Sequence, residues 1–143
     1  MSAEPLSPDR VVEAATALSL ALDRNDFATT ARLIASDCVY EVRGDRIDGS
    51  DAIVASYAEN NQWAVQHLDE VRYESVVEAP EGDTVPVLYT DYLMRAGGGW
   101  HRHRCRQRLT VGADGKIVRI VHEDLPGEME ALEDYFQRCG ISR

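Results

Sequence analysis

The segment His101-Arg102-His103-Arg104-Cys105-Arg106-Gln107-Arg108-Leu109-Thr110-Val111 carries an arginine at every second position as far as Arg108. Successive side chains of a strand point to opposite faces. Folded as a strand, the segment has one cationic face and one that grades from imidazole and thiol to aliphatic. The second face is His101, His103, Cys105, Gln107, Leu109 and Val111. That grading suits the wall of a pocket in a curved sheet. It suggests a small-molecule site and names no substrate.

The surrounding chain bounds what such a strand can belong to. At 143 residues it is one domain, residues 1–143, large enough for its own core. A formal charge of −10 argues against a general nucleic-acid binder. No run approaches the length of a membrane span. Met1-Ser2-Ala3-Glu4-Pro5 has neither a basic region nor an apolar stretch, so no secretory leader is expected. Cys38, Cys105 and Cys139 are odd in number and show no CxxC spacing, which reads as reduced thiols in a cytoplasmic protein.

Helical signals come first. Ser7-Pro8-Asp9 is a helix start, followed by Val11, Ala14, Ala15, Leu18, Ala21 and Leu22 at helical spacing. Asn25-Asp26 recaps a short helix through Phe27, Ala31, Leu33 and Ile34. A first strand covers residues 38–42, and Ile47-Asp48-Gly49-Ser50-Asp51 is a turn capping a third helix with Ile53, Tyr57 and Trp63. Strands then follow over residues 71–77, 85–95, 101–111 and 117–123, with Gly97-Gly98-Gly99 and Gly112-Ala113-Asp114-Gly115 as hairpin turns. Pro126-Gly127 ends the sheet, and residues 128–138 read as an acidic helix closed by Gly140. Helices followed by an antiparallel meander make an α+β domain whose two layers enclose a cavity.

In that order and spacing the chain resembles the nuclear transport factor 2-like superfamily, a cone-shaped α+β barrel. The resemblance rests on the helix pair leading into Leu33-Ile34-Ala35-Ser36-Asp37-Cys38-Val39-Tyr40-Glu41. It rests also on Asp48-Gly49-Ser50-Asp51-Ala52-Ile53 opening the third helix, and on Asp114-Gly115-Lys116-Ile117-Val118-Arg119-Ile120 starting the last strand. The superfamily includes ketosteroid isomerase, SnoaL-like polyketide cyclases, scytalone dehydratase, limonene epoxide hydrolase and binding proteins, so the fold leaves function open. The isomerase's tyrosine, general-base aspartate and protonated aspartate fall on Leu18, Val42 and Gln107, and all three roles are lost. The epoxide hydrolase's first aspartate falls on Asp91, while its arginine and second aspartate fall near Tyr89 and His122.

Histidine is the natural proton shuttle near neutral pH. A tight Gly112–Gly115 turn would set Cys105 opposite His122 and Gln107 opposite Ile120, lining one wall with His101, His103 and His122. Pairing of Ala96 with Trp100 would set Asp91 opposite Cys105 and inward, where it could orient His122 or His103; a slip of one residue would turn it to the arginines. Three imidazoles could hold zinc, but a metal is atypical of the resemblance, and no metal or other cofactor is expected. Cys105 beside His122 is either a nucleophile or, more simply, a buried thiol.

The leading expectation is a SnoaL-like isomerase, cyclase or dehydratase acting on a small, partly apolar molecule. His122, His103 and Asp91 would carry the acid–base chemistry. Tyr40, Tyr57, Trp63, His101, Cys105 and Gln107 would contact the substrate. The alternative is a non-catalytic ligand-binding or dimerisation module. On the outer face, Arg102, Arg104, Arg106 and Arg108 are joined by Arg119 and need counter-charge, for which Glu128, Glu130, Glu133 and Asp134 are the expected source. The resemblance implies a homodimer through that face. No nucleic-acid or membrane partner is expected.

Overall fold

Ser7 starts α1 (Pro8–Asp23): its hydroxyl accepts from the Arg10 N–H at 3.3 Å, and Pro8 takes the first helical position. Asp26 caps α2 (Phe27–Leu33) in the same way, accepting from the Thr29 N–H at 3.1 Å. β1 (Ile34–Val42) follows without a break and folds back on β2 (Asp45–Asp48), after which come α3 (Ser50–His67), β3 (Glu70–Val77), β4 (Thr84–Arg95), β5 (Gly99–Val111), β6 (Ile117–Asp124) and α4 (Glu128–Arg138). This computed structural model describes residues 6–142; the expectation of no leader falls on Met1–Pro5, outside the described residues. No helix among the described residues is long and apolar enough to cross a membrane.

The strands form one six-stranded sheet in the order β2-β1-β6-β5-β4-β3. Its curvature and the helices against it give the expected mixed α+β architecture. The sheet departs from an antiparallel meander at one seam, where β1 runs parallel to β6. β2 is a strand that the turn signals concealed. Its hairpin pivots on Arg43 and Gly44, both at positive φ (46° and 82°), a conformation in which arginine is uncommon.

Both expected hairpin registers are displaced by two residues. Gln107 faces His122 rather than Ile120, and Cys105 faces Asp124. The turn after β5 is one residue longer than expected, and a bulge between Thr110 and Val111 adds another. Likewise Arg95 pairs with Gly99, which sets Asp91 opposite His103. Gly98 sits inside that turn because a Cβ there would lie 2.4 Å from the Cys139 sulfur. A two-residue slip preserves which face each side chain occupies, so the inward set survives both corrections.

Along β4 the inward residues run Val85, Val87, Tyr89, Asp91, Leu93, and along β5 they run Val111, Leu109, Gln107, Cys105, His103, His101. Val85, Val87, Leu109 and Val111 belong to the main apolar core with Leu18, Ile53 and Ile120. Leu93 belongs to a second cluster with Ala64, Leu68, Leu132 and Phe136. The polar band of both strands lies between the two clusters. Space is left open there, since neither core extends across it.

Candidate functional site

A cavity of about 640 Å³ occupies this polar band. Its walls come from every layer: Leu22 and Asp23 from α1, Tyr57 and Trp63 from α3, Tyr73 from β3, and Met129, Leu132 and Phe136 from α4. An apolar hollow with a few placed polar groups is the usual form of a small-ligand site.

The β5–β6 end is one continuous hydrogen-bonded network. Gln107, 4 % exposed, accepts from the Tyr57 hydroxyl at 2.8 Å through Oε1. Its Nε2 donates to the Tyr40 hydroxyl at 3.1 Å and lies 3.2 Å from His122 Nδ1. With both amide hydrogens assigned, His122 Nδ1 accepts, so its Nε2 carries the proton and donates to Asp124 Oδ1 at 2.8 Å. Arg43 closes the chain with a two-pronged contact to Asp124, at 2.7 and 2.8 Å. Burial pushes the Asp124 carboxyl up, but the hydrogen bonds from Arg43 and His122 outweigh it and leave it below the usual range. Tyr40 accepts from Gln107 and donates to no described residue, which leaves its O–H available to the cavity. Burial lifts its phenol to about 12, so it stays a donor at neutral pH.

The β4 end is different in kind. Asp91 lines the cavity with no hydrogen bond or ion pair to any described residue. Burial, with a smaller push from the Asp23 charge, lifts its carboxyl from 3.8 to about 7. The expected Asp91–histidine pair is absent: the carboxylate that orients His122 is Asp124. His103 is 8 % exposed, and its Nδ1 is buried without a hydrogen bond, 3.9 Å from a Glu128 oxygen. Burial lowers His103 below the ordinary imidazole value against the pull of Glu128, so the ring is neutral at pH 7.

The structure brings Asp91, His103, His122, Tyr40, Tyr57, Trp63, Cys105 and Gln107 to the cavity wall. His101 is the exception. It lies one step further along β5, beyond the hollow, where its ring stacks on Tyr135 of α4 at 4.9 Å. Burial holds the Cys105 thiol at about 12, which makes it a poor nucleophile. Among the described residues no group of three or more His, Cys, Asp or Glu is arranged to hold a metal ion.

Sequence signals pass over four residues of the site, Tyr73, Asp23 and Arg43 in the wall and Asp124 behind His122. Tyr73 was accessible through the alternation Val71, Tyr73, Ser75, Val77 on β3. Asp23 follows Ser19 by one helical turn on α1. Asp124 and Arg43 carried no usable signal, because one sits at a strand end and the other in an atypical hairpin turn. On the outer face, Arg106, Arg108 and Arg119 are countered from neighbouring strands and the end of β3 rather than by α4. Arg106 reaches Glu78 at 2.7 Å, Arg108 reaches Glu123 at 3.3 Å, and Arg119 reaches Glu41 at 3.0 Å. Glu128, expected among these counter-charges, turns inward to His103 instead.

The fold has many solved counterparts. A candidate polyketide cyclase from Xanthomonas campestris pv. campestris is 18% identical, with a TM-score of 0.67 over 92% of this chain and 98% of that one. An epoxide hydrolase of the limonene type from M. tuberculosis is 21% identical, with a TM-score of 0.60 over 92% and 90%. A de novo designed protein with a curved β-sheet is 16% identical, with a TM-score of 0.63 over 92% and 98%. A designed scaffold among them shows that this likeness is one of fold. No curated protein matches the sequence. The SnoaL-like domain family model, however, matches residues 14–120. The chain therefore belongs to the SnoaL-like domain family, within the nuclear transport factor 2-like superfamily.

Proposed function

We propose that the protein is an acid–base enzyme that moves a proton on a small, partly apolar carbonyl compound, in the manner of an isomerase, cyclase or dehydratase. The observation that carries this reading is Asp91, a cavity carboxyl without a protein partner and poised at about 7. A general base with such a value is matched to neutral pH. Tyr40 donates to the carbonyl oxygen, and Asp91 takes the proton from the adjacent carbon. The enolate is held by the Tyr40 O–H until Asp91 returns the proton at another position. Gln107 aims Tyr40, and His122, with both ring nitrogens engaged, acts through Gln107 as a positioning residue. His103 stands beside Asp91 and bounds the reacting region. Membership of a family with cyclase-like structural neighbours supports this class of chemistry.

The rival reading, a non-catalytic module, calls for an aliphatic cavity with Asp91 outside it, and the inward placement of Asp91 favours the enzyme. The test is exchange of α-protons of small cyclic ketones in D2O, followed by NMR. Acceleration over buffer at pH 7.5 is expected, reduced at least ~100-fold in Asp91→Asn. Equal rates in the two proteins, or no acceleration across saturated and unsaturated ring ketones, would overturn the reading.

The homodimer through the outer sheet face belongs to the same proposal. It is supported by Trp100, 52 % exposed at the start of β5, with the Arg72 guanidinium 5.3 Å from its ring.

A further inference from the structure

The cavity has an acidic box on the side away from the Gln107 network. On β3 and β4, Tyr73 pairs with Asp91 and Ser75 pairs with Tyr89. These side chains share the inward face, two adjacent cross-strand pairs forming a square. Asp23 closes the square from above, since its carboxylate accepts from the Ser75 hydroxyl at 2.6 Å. Asp23 is the last residue of α1, a helix end that already presents negative potential and has no basic residue in its last turn. The two carboxylates are close enough to feel each other's charge.

Among the described residues of the wall, no cation answers their charge. Arg43, the one arginine among the described lining residues, is committed to Asp124. His103, directly opposite Asp91 on β5, is buried and neutral, with Nδ1 unpartnered. The Tyr73 hydroxyl is spent on Asn61 at 2.8 Å, and that of Tyr89 is shared with Ser19 at 3.3 Å, so both rings are fixed as walls. Two carboxylates between two tyrosine rings form a receptor for a cation, which gains both ion pairing and ring attraction.

We propose that Asp23, Asp91, Tyr73 and Tyr89 bind the protonated amine of a ligand whose apolar body fills the rest of the cavity. This rests on the proposed small-molecule function and narrows its substrate class to amine-bearing carbonyl compounds. Asp23 holds the ammonium, and Asp91 retains access to the carbon skeleton.

The probes are 2-phenylethylamine and its neutral counterpart 2-phenylethanol, titrated by calorimetry at pH 8. The amine should bind at least ~10-fold more tightly than the alcohol. Asp23→Asn, which keeps a partner for Ser75, should bring the amine down to the level of the alcohol and leave the alcohol unchanged. Asp91→Asn should weaken the amine preference as well, giving a second reading should the first variant fold poorly. Equal binding of the two probes, binding of neither, or a preference that survives both substitutions would overturn the inference. Ketone exchange is read on the parent protein with neutral ring ketones, which carry no ammonium for the box to hold. Exchange without an amine preference would therefore sink the amine box and leave the acid–base reading standing.

Discussion

Asp91 on β4 stands directly opposite His103 on β5, yet no hydrogen bond joins them, and both side chains line the cavity. Neighbouring polar groups in a fold generally satisfy one another. Here one pair of strands carries a satisfied set, Gln107 with His122, and the next carries an unsatisfied set, Asp91 with His103. The first fixes geometry and the second offers unspent capacity to a ligand.

That unspent capacity should cost stability. A carboxyl held at about 7 when folded, against 3.8 otherwise, binds its proton more tightly in the folded state. Stability is therefore lost as pH rises from about 4 to about 7 and is flat beyond. Asp91→Asn removes this loss. The variant should match the parent at pH 4 and exceed it at pH 8 by about 2 kcal/mol, after discounting for the open cavity. Urea unfolding at the two pH values checks this, and an equal difference at both would contradict it.

Gln107 is the hub of the opposite end, and Gln107→Leu leaves the Tyr57 hydroxyl and His122 Nδ1 without their partner. Stranding buried polar groups costs about 1–3 kcal/mol, so the melting temperature should fall by several degrees. Tyr40→Phe is milder, about 1 kcal/mol, because Gln107 keeps two of its three partners. It should nevertheless abolish most ketone exchange. Exchange unaffected by Tyr40→Phe would remove the donor from the mechanism.

Much of this was legible in the sequence because alternation is robust. The arginine spacing in residues 101–111 fixes which side chains face inward, and errors of two residues in register leave that unchanged. What failed was pairing. Alternation points to Asp91 as the orienting carboxylate, yet a bulge near Thr110 brings His122 to Gln107, and Asp124 on the same strand supplies the carboxylate. The β1–β2 hairpin was hidden because its turn uses arginine at φ 46°, a conformation usually signalled by Asn, Asp or Gly. His101 shares the inward face but lies beyond the cavity, because alternation gives a face and not the length of the cavity along it.

Thiol chemistry gives a separate check. Burial lifts Cys38 to about 11 and Cys105 to about 12. Neither should react with a disulfide reagent at pH 8 unless the protein is unfolded. Rapid labelling of Cys105 in the native protein, identified by mass spectrometry, would revive a nucleophilic role.

The proposed dimer localises its own test. Trp100→Glu puts a charge in place of the exposed aromatic on the outer face, at a position that does not line the main cavity. Light scattering should show a dimer for the parent and a monomer for the variant, with ketone exchange measured in parallel. A monomeric parent would end the dimer proposal.

The claim on which the account turns is that Asp91 is held ready to give or take a proton near neutrality. The most direct measurement is a 13C NMR titration of the aspartate carboxyl carbons, with the Asp91 signal assigned by its loss in Asp91→Asn. The account predicts a midpoint near 7. A midpoint near 4, the ordinary value for an exposed aspartate, would mean that the carboxyl is solvated or paired, and would contradict it.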